Sequence, residues 1–259
     1  MSVVPARVGA RIAAGLKKFQ PVLEDARKRD VNESDTVTIV TDLLSEVFGF
    51  DKYSEVTSEH VIRSTFCDLA IRIDGKLAVL IEVKAIGLDL KDNHIKQAVD
   101  YAANQGCEWV ALTNGVLWNV YQVAFTKPIQ SELVLQLDLC LLSLRRSQDL
   151  ELLALLSREA WKRSRMDDYA VQRQALSRFT IAAVILSEPC VHLIRRQLRR
   201  ITKDVRVDAA EIEKVLLQEV LKREATEGDK AAAATRLAAR ATKRLKKVQE
   251  EAAKPTSGS

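Results

Sequence analysis

The chain changes its hydrophobic rhythm several times, and each change predicts a different element. Residues 66–84, FCDLAIRIDGKLAVLIEVK, alternate apolar and polar positions about Asp74-Gly75, the pattern of a β-hairpin. Upstream the period is helical. A helix is expected over 5–29, with Pro21 marking a break or a new start. A second is expected over 32–48, where Asn32 can cap a stripe of Val37, Ile39, Val40, Leu43, Leu44, Val47 and Phe48. A strand over 55–63 leads into the hairpin. A helix over 90–105 follows, with Ile95, Ala98, Val99 and Ala102 on one side. Residues 109–114 (WVALTN) and 116–123 (VLWNVYQV) read as two more strands around Gly115. This order predicts an α/β fold with a mixed central sheet flanked by helices. Beyond residue 131 the strand signals vanish and an all-α region is expected. Ser187-Glu188-Pro189 opens one of its helices and the capping box Asp208-Ala-Ala-Glu211 another. The expected division is a helical segment 1–30, a sheet domain 31–130, a helical basic domain 131–227, and an Ala/Lys/Arg-rich helix with a disordered tail over 228–259. There is no internal repeat.

Strand side chains alternate between faces, so parity sorts the hairpin. The odd positions Leu69, Ile71, Ile73, Leu77, Val79, Ile81 and Val83 are all apolar and should pack on the core. The even positions bring Asp68, Glu82 and Lys84 together on the other face. A three-residue Asp74-Gly75-Lys76 loop would set Ile73 against Leu77, and counting outward sets Asp68 against Glu82. A two-residue loop would shift this pairing by one. Cross-strand neighbours lie about 4.5–5.5 Å apart at Cβ, close enough for two carboxylates to repel. A shared divalent cation removes that penalty, and Mg²⁺ favours one or two carboxylates plus a substrate phosphate. Lys84 would then orient an attacking water or meet the charge developing on phosphorus. The competing reading is an ion pair on a half-solvated sheet.

Composition narrows the setting. No apolar run approaches the roughly 18 residues of a membrane span, and the N-terminus lacks a signal-peptide pattern. Cys67, Cys107, Cys140 and Cys190 are scattered without a CxxC pair, which argues against zinc and against a disulfide framework. A cytoplasmic protein without membrane association is expected. The net charge of +5 is uneven: residues 1–130 hold 15 Lys+Arg against 17 Asp+Glu, and residues 131–259 hold 25 against 18. A basic second half is compatible with a polyanionic partner. Within it, Arg195, Arg196, Arg199 and Arg200 form a candidate DNA-phosphate surface, the alternative being a solvated helical face. His60, His94 and His192 are too dispersed for a histidine-based metal site, and His94 suits a helix cap. Trp109, Trp118 and Tyr121 could stack on bases, but at least two of them suit the core better.

The spacing D-x13-E-V-K on a hairpin resembles the signature of the PD-(D/E)xK nuclease superfamily. Gln97 and Tyr101 form the Q-x3-Y found on the following helix in such nucleases. Thr113, Asn114, Gly115, Trp118 and Tyr121 (TNG-x2-W-x2-Y) resemble the next strand pair in the N-terminal nuclease domain of type I restriction enzyme R subunits, and Asn32–Thr36 resembles the start of an earlier helix there. The resemblance spans residues 30–125 and implies a restriction-endonuclease-like core. It implies that Asp68 and Glu82, with the Val83 carbonyl, hold Mg²⁺ (Mn²⁺ substituting), that Glu33 adds an upstream carboxylate, and that Lys84 is the catalytic lysine. Gln97 and Tyr101 would contact DNA phosphate or support Lys84. Cys67 stands where the signature has Pro. There is no G-x4-GK-[ST] loop, so no ATP site, and a stand-alone relative of the nuclease domain is expected. The function implied is Mg²⁺-dependent hydrolysis of DNA, endonucleolytic rather than exonucleolytic, in restriction or defence. A homodimer would supply one site per strand. The alternatives are a non-catalytic DNA-binding or assembly module that retains the fold, and a repair or recombination exonuclease.

Overall fold

The buried positions Ile12, Leu16, Phe19, Leu23 and Ala26 recur at helical spacing on both sides of Pro21, and they carry a single helix, α1 (Ala6–Lys28), straight through it. The expected break is absent because this continuous buried stripe outweighs the roughly 3 kcal/mol that an interior proline costs. A computed structural model describes residues 4–58, 67–202 and 206–252. Helix α2 (Glu33–Asp42) starts where Asn32 accepts a 2.9 Å hydrogen bond from the Asp35 N–H, and it continues into a π-helical turn, Leu43–Val47. Gly15 lets α1 approach that turn, since a Cβ there would lie 2.8 Å from a Val47 methyl.

Six strands follow, β1 (Val56–Ser58), β2 (Leu69–Ile73), β3 (Lys76–Val83), β4 (Trp109–Thr113), β5 (Leu117–Ala124) and β6 (Gln130–Asp138). They form one sheet in sequential order. Every neighbouring pair is antiparallel except β3 and β4, which helix α3 (Asp92–Gln105) connects as a parallel crossover. The fold is therefore α/β with a mixed sheet flanked by helices. Of the strand expected over 55–63, residues 59–63 lie outside the described residues.

Two expectations need correction. Residues 131–138 are not helical: they belong to β6, which pairs with β5 over eight residues from Leu117↔Asp138 to Ala124↔Gln130. The short run LVLQL fits either period by itself, and the partner strand decides it. The hairpin loop has two residues, not three. Ile73 pairs with Lys76, and both Asp74 (φ 51°) and Gly75 (φ 78°) take the positive φ that a tight primed turn requires. A bulge then inserts one extra residue into β3: Arg72 pairs with Leu77 but Ile71 with Val79. The slip is cancelled, Leu69 faces Ile81, and one step further sets Asp68 across from Glu82. The bulge also turns Leu77 to the face expected for even positions, where it packs beside Leu80.

That face is not open. Ala70, Leu80, Val110, Leu112 and Tyr121 lie beneath Ile95, Ala98, Val99 and Ala102 of α3. The opposite face sets Ile71, Val79, Ile81, Trp118 and Val120 against Leu44, Phe50, Leu156 and Trp161. Asp68, Glu82 and Lys84 lie at the end of the hairpin away from its turn, and Arg72 lies near the turn.

After β6 come α4 (Ser147–Ala154), α5 (Arg158–Lys162) and α6 (Arg165–Ala175). The chain then divides into two compact units, Met1–Tyr169 and Ala170–Ser259. The second is helical, with α7 (Arg178–Ile185), α8 (Glu188–Ile201), α9 (Ala209–Val215), a π-helical turn (Leu216–Val220), α10 (Arg223–Thr226) and α11 (Asp229–Ala252). Its core joins Val191 of α8 to Ile212 and Leu216. The Asp208–Glu211 capping box and the Ser187 start of α8 are both present. Residues 253–259 of the expected tail lie outside the described residues.

Candidate active site

The hairpin end brings together Asp68, Glu82 and Lys84. Asp68 immediately precedes β2 and turns Oδ2 onto the Val83 N–H at 2.7 Å. Cys67 secures the same point, its buried Sγ donating to the Ile81 carbonyl at 3.1 Å. Glu82, on β3, is 7% exposed. Its Oε1 accepts from Lys84 Nζ at 2.6 Å, while its Oε2 is buried with no hydrogen-bond partner. An unpaired carboxylate oxygen in the interior costs free energy that the fold has left uncompensated. Lys84 Nζ also lies 3.5 Å from Glu33 Oε2, so α2 delivers a third carboxylate to the rim.

Burial raises the Asp68 carboxyl above its ordinary pKa, and the Val83 N–H and Lys84 offset only part of this. Burial raises Glu82 too; the Lys84 hydrogen bond works against it, and the Asp68 and Glu33 charges add to it. For Lys84, burial favours the neutral amine. Its hydrogen bond to Glu82 and the fields of Glu82, Glu33 and Asp68 outweigh that, and the pKa ends above its ordinary value.

Sequence reasoning assigned no role of its own to the turn that holds the lysine in place. The Lys84 N–H donates to the Thr113 carbonyl at 2.8 Å, extending the parallel ladder past Val83. Asn114, 5% exposed, uses its whole amide. Nδ2 donates to the Ile86 and Leu88 carbonyls, and Oδ1 accepts from the Val116 and Leu117 N–H groups. One side chain thus ties the loop after Lys84 to the β4–β5 turn. Gly115 (φ 83°) supplies the positive φ, and its carbonyl accepts from Trp118 Nε1 at 3.1 Å. An Asn-Gly pair between two apolar runs is the signal that marks such a turn.

The other candidates stand differently. Gln97 is exposed on α3 and Tyr101, one turn later, packs against the apolar cluster under that helix. The partners of Lys84 are Glu82 and Glu33, so the lysine takes its support from carboxylates. His94 accepts from the Lys91 N–H at the start of α3, a capping role. Trp109, Trp118 and Tyr121 are all buried. His60 lies outside the described residues. Arg195, Arg196, Arg199 and Arg200 belong to the second unit, on α8.

The donor set suits a hard divalent cation. Glu82 Oε2 is orphaned, and among the described residues no hydrogen bond reaches Asp68 Oδ1. Among the described residues no three His, Cys, Asp or Glu side chains make a metal cage on their own.

Residues 42–134 match the family of the type I restriction enzyme R protein N terminus. The matched segment, 93 of the 259 residues, contains the whole hairpin, α3, the Asn114 turn and β5. It includes Asp68, Glu82 and Lys84, while Glu33 lies just ahead of it. No curated protein and no solved structure matches the chain. Among the described residues no helix is long and apolar enough to cross a membrane.

Proposed function

We propose that the first unit is a Mg²⁺-dependent deoxyribonuclease, acting endonucleolytically in restriction or defence. The observation that carries this reading is the orphaned, buried Oε2 of Glu82 beside Asp68 and Lys84. A fold that needed only an ion pair would have satisfied that oxygen or exposed it. The family match of residues 42–134 supports the same chemistry, since restriction enzymes act on DNA.

Asp68 and Glu82 would hold the cation, with the Val83 carbonyl as a third donor. When bound, Mg²⁺ supplies Lewis acidity and lowers the pKa of a water at neutral pH. The protein's own groups do the positioning. The Asp68–Val83 hydrogen bond keeps the two carboxylates in register, and Asn114 keeps the loop beyond Lys84 against β4. Lys84, an ammonium between Glu82 and Glu33, donates to a phosphate oxygen as negative charge grows there. Gln97, exposed on the first turns of α3, is free to donate to a flanking phosphate. A homodimer would present one such site to each strand.

The test is supercoiled plasmid incubated with Mg²⁺ or Mn²⁺, wild type beside Lys84→Ala. Nicking by the wild type alone supports the reading. An intact plasmid that both proteins still retard on a gel replaces it with a DNA-binding module. Equal nicking by both moves the active site elsewhere. Comparing circular with linear substrate separates endonuclease from exonuclease.

A further inference from the structure

The charge of the molecule is concentrated in the unit that the family match does not reach. Met1–Tyr169 carries 21 Lys+Arg against 24 Asp+Glu, whereas Ala170–Ser259 carries 19 against 11. Helix α8 shows how that excess is displayed. Its buried stripe runs through Val191 and Ile194 onto α9, and its exposed surface mixes the arginines with Leu193, Leu198 and Ile201. At 3.6 residues per turn, Arg195, Arg196, Arg199, Arg200 and His192 fall on one arc of about 140°, opposite that stripe. Arg196, Arg199 and Arg200 are exposed and Arg195 is half-buried.

No ion pair or hydrogen bond holds any of the four among the described residues, although Arg178 and Arg223 of the same unit find Glu224 and Glu227. The sequence offers no remedy either, because residues 189–203 contain no Asp or Glu. A helical face that is merely solvated usually interleaves its signs, since like charges at i,i+4 repel. Arg199 and Arg200 have a local excuse, as they sit in the last turn where the helix dipole favours cations. Arg195 and Arg196 lie a turn earlier, beyond that benefit. The repulsion is tolerated without any internal compensation.

We infer that the α8 face of Arg195, Arg196, Arg199 and Arg200 is a nucleic-acid backbone-binding surface. It belongs to the second unit and supplies sequence-independent affinity. Guanidinium forks match phosphate oxygens in bidentate geometry, and successive arginines on the arc are one helical turn apart, so several phosphates of one strand can be engaged. The choice of nucleic acid over other polyanions rests on the proposed nuclease reading; the unpaired cationic face does not.

The test is anisotropy of a short labelled duplex with the full chain in EDTA, which prevents cleavage, between about 50 and 200 mM salt. The wild type is compared with a quadruple variant, Arg195→Ala, Arg196→Ala, Arg199→Ala and Arg200→Ala. Alanine preserves helix propensity, and a quadruple Arg→Lys variant preserves charge. Each lost phosphate contact removes about 0.9 from the slope of log affinity against log salt, so the alanine variant should lose roughly three to four units of slope. The lysine variant should keep it. An alanine variant with wild-type slope overturns the inference, and so does a wild type that binds anionic vesicles but no duplex. Plasmid nicking in Mg²⁺ is scored separately. Absent nicking with a lost slope removes the nuclease reading and leaves this surface, while nicking with an unchanged slope does the reverse.

Discussion

The first unit holds two clusters of partly buried charge, and they are built on opposite terms. In one, Arg11 on α1 forks onto Glu159 of α5 at 2.8 and 2.7 Å and also donates to the Val47 and Phe48 carbonyls. Beside it, Arg158 Nε reaches both oxygens of Glu55 at 2.7 and 2.8 Å. The Arg11 hydrogen bond holds the Glu159 carboxyl below its ordinary range despite some burial. In the other cluster, Glu82 and Glu33 share Lys84, burial pushes the Asp68 and Glu82 carboxyls above their ordinary range, and one Glu82 oxygen has no partner. The first arrangement closes its own hydrogen bonds and ties helices together. The second leaves a buried acceptor open, which is the feature on which the proposed cation site rests.

Four measurements can break or sharpen that contrast. The largest effect is expected from Lys84→Ala, which should cut plasmid nicking by about 10²–10³, the usual cost of losing one electrostatic donor. Arg11→Ala should spare nicking and act on stability alone. It leaves Glu159 unpaired and the Val47 carbonyl without its donor, while the Phe48 carbonyl keeps the Arg158 N–H, so urea unfolding should show a loss of about 1–2 kcal/mol while the nicking rate of the folded protein holds. Glu82→Gln removes a buried charge but keeps an acceptor for Lys84. Nicking should vanish and stability should rise by roughly 1 kcal/mol; a destabilised Gln variant would mean that the pair is structural after all. The smallest effect concerns acid. Because the folded Glu159 carboxyl lies below its ordinary value of 4.5, its contribution is fully present above that value and is lost as pH falls through the folded pKa. The gap in melting temperature between wild type and Glu159→Gln should therefore narrow as pH is taken down through 4 and below, and a gap independent of pH would contradict the assignment.

The hairpin shows how much of this was legible beforehand and where legibility stopped. Asp68, Glu82 and Lys84 were found by alternation and spacing alone, and the register between Asp68 and Glu82 came out as counted. It did so for a reason that alternation could not disclose. The loop is one residue shorter than expected and a bulge opposite Ile71 and Arg72 returns the residue. Two errors of opposite sign left the pair in place and moved Leu77 to the other face. Likewise, alternation assigned only the odd face to the core, because α3 is fourteen residues of separate sequence. Only its docking shows that Ala70 and Leu80 on the even face are core as well. The LVLQL run of β6 was ambiguous for the same reason: a strand is defined by its partner.

What the sequence by itself determined is local. Periodicity, caps and turn residues set the helices, the Asp74-Gly75 hairpin, the Asn32 start of α2 and the composition of the candidate site, because each depends on residues within a few positions of one another. What only the tertiary structure decided is which distant groups meet. Glu33 reaches Lys84 across 51 positions and Arg11 reaches Glu159 across 148. Whether a buried carboxylate ends satisfied or orphaned depends on those arrivals, since hydrogen bonding acts over a few ångströms of space and takes no account of distance along the chain.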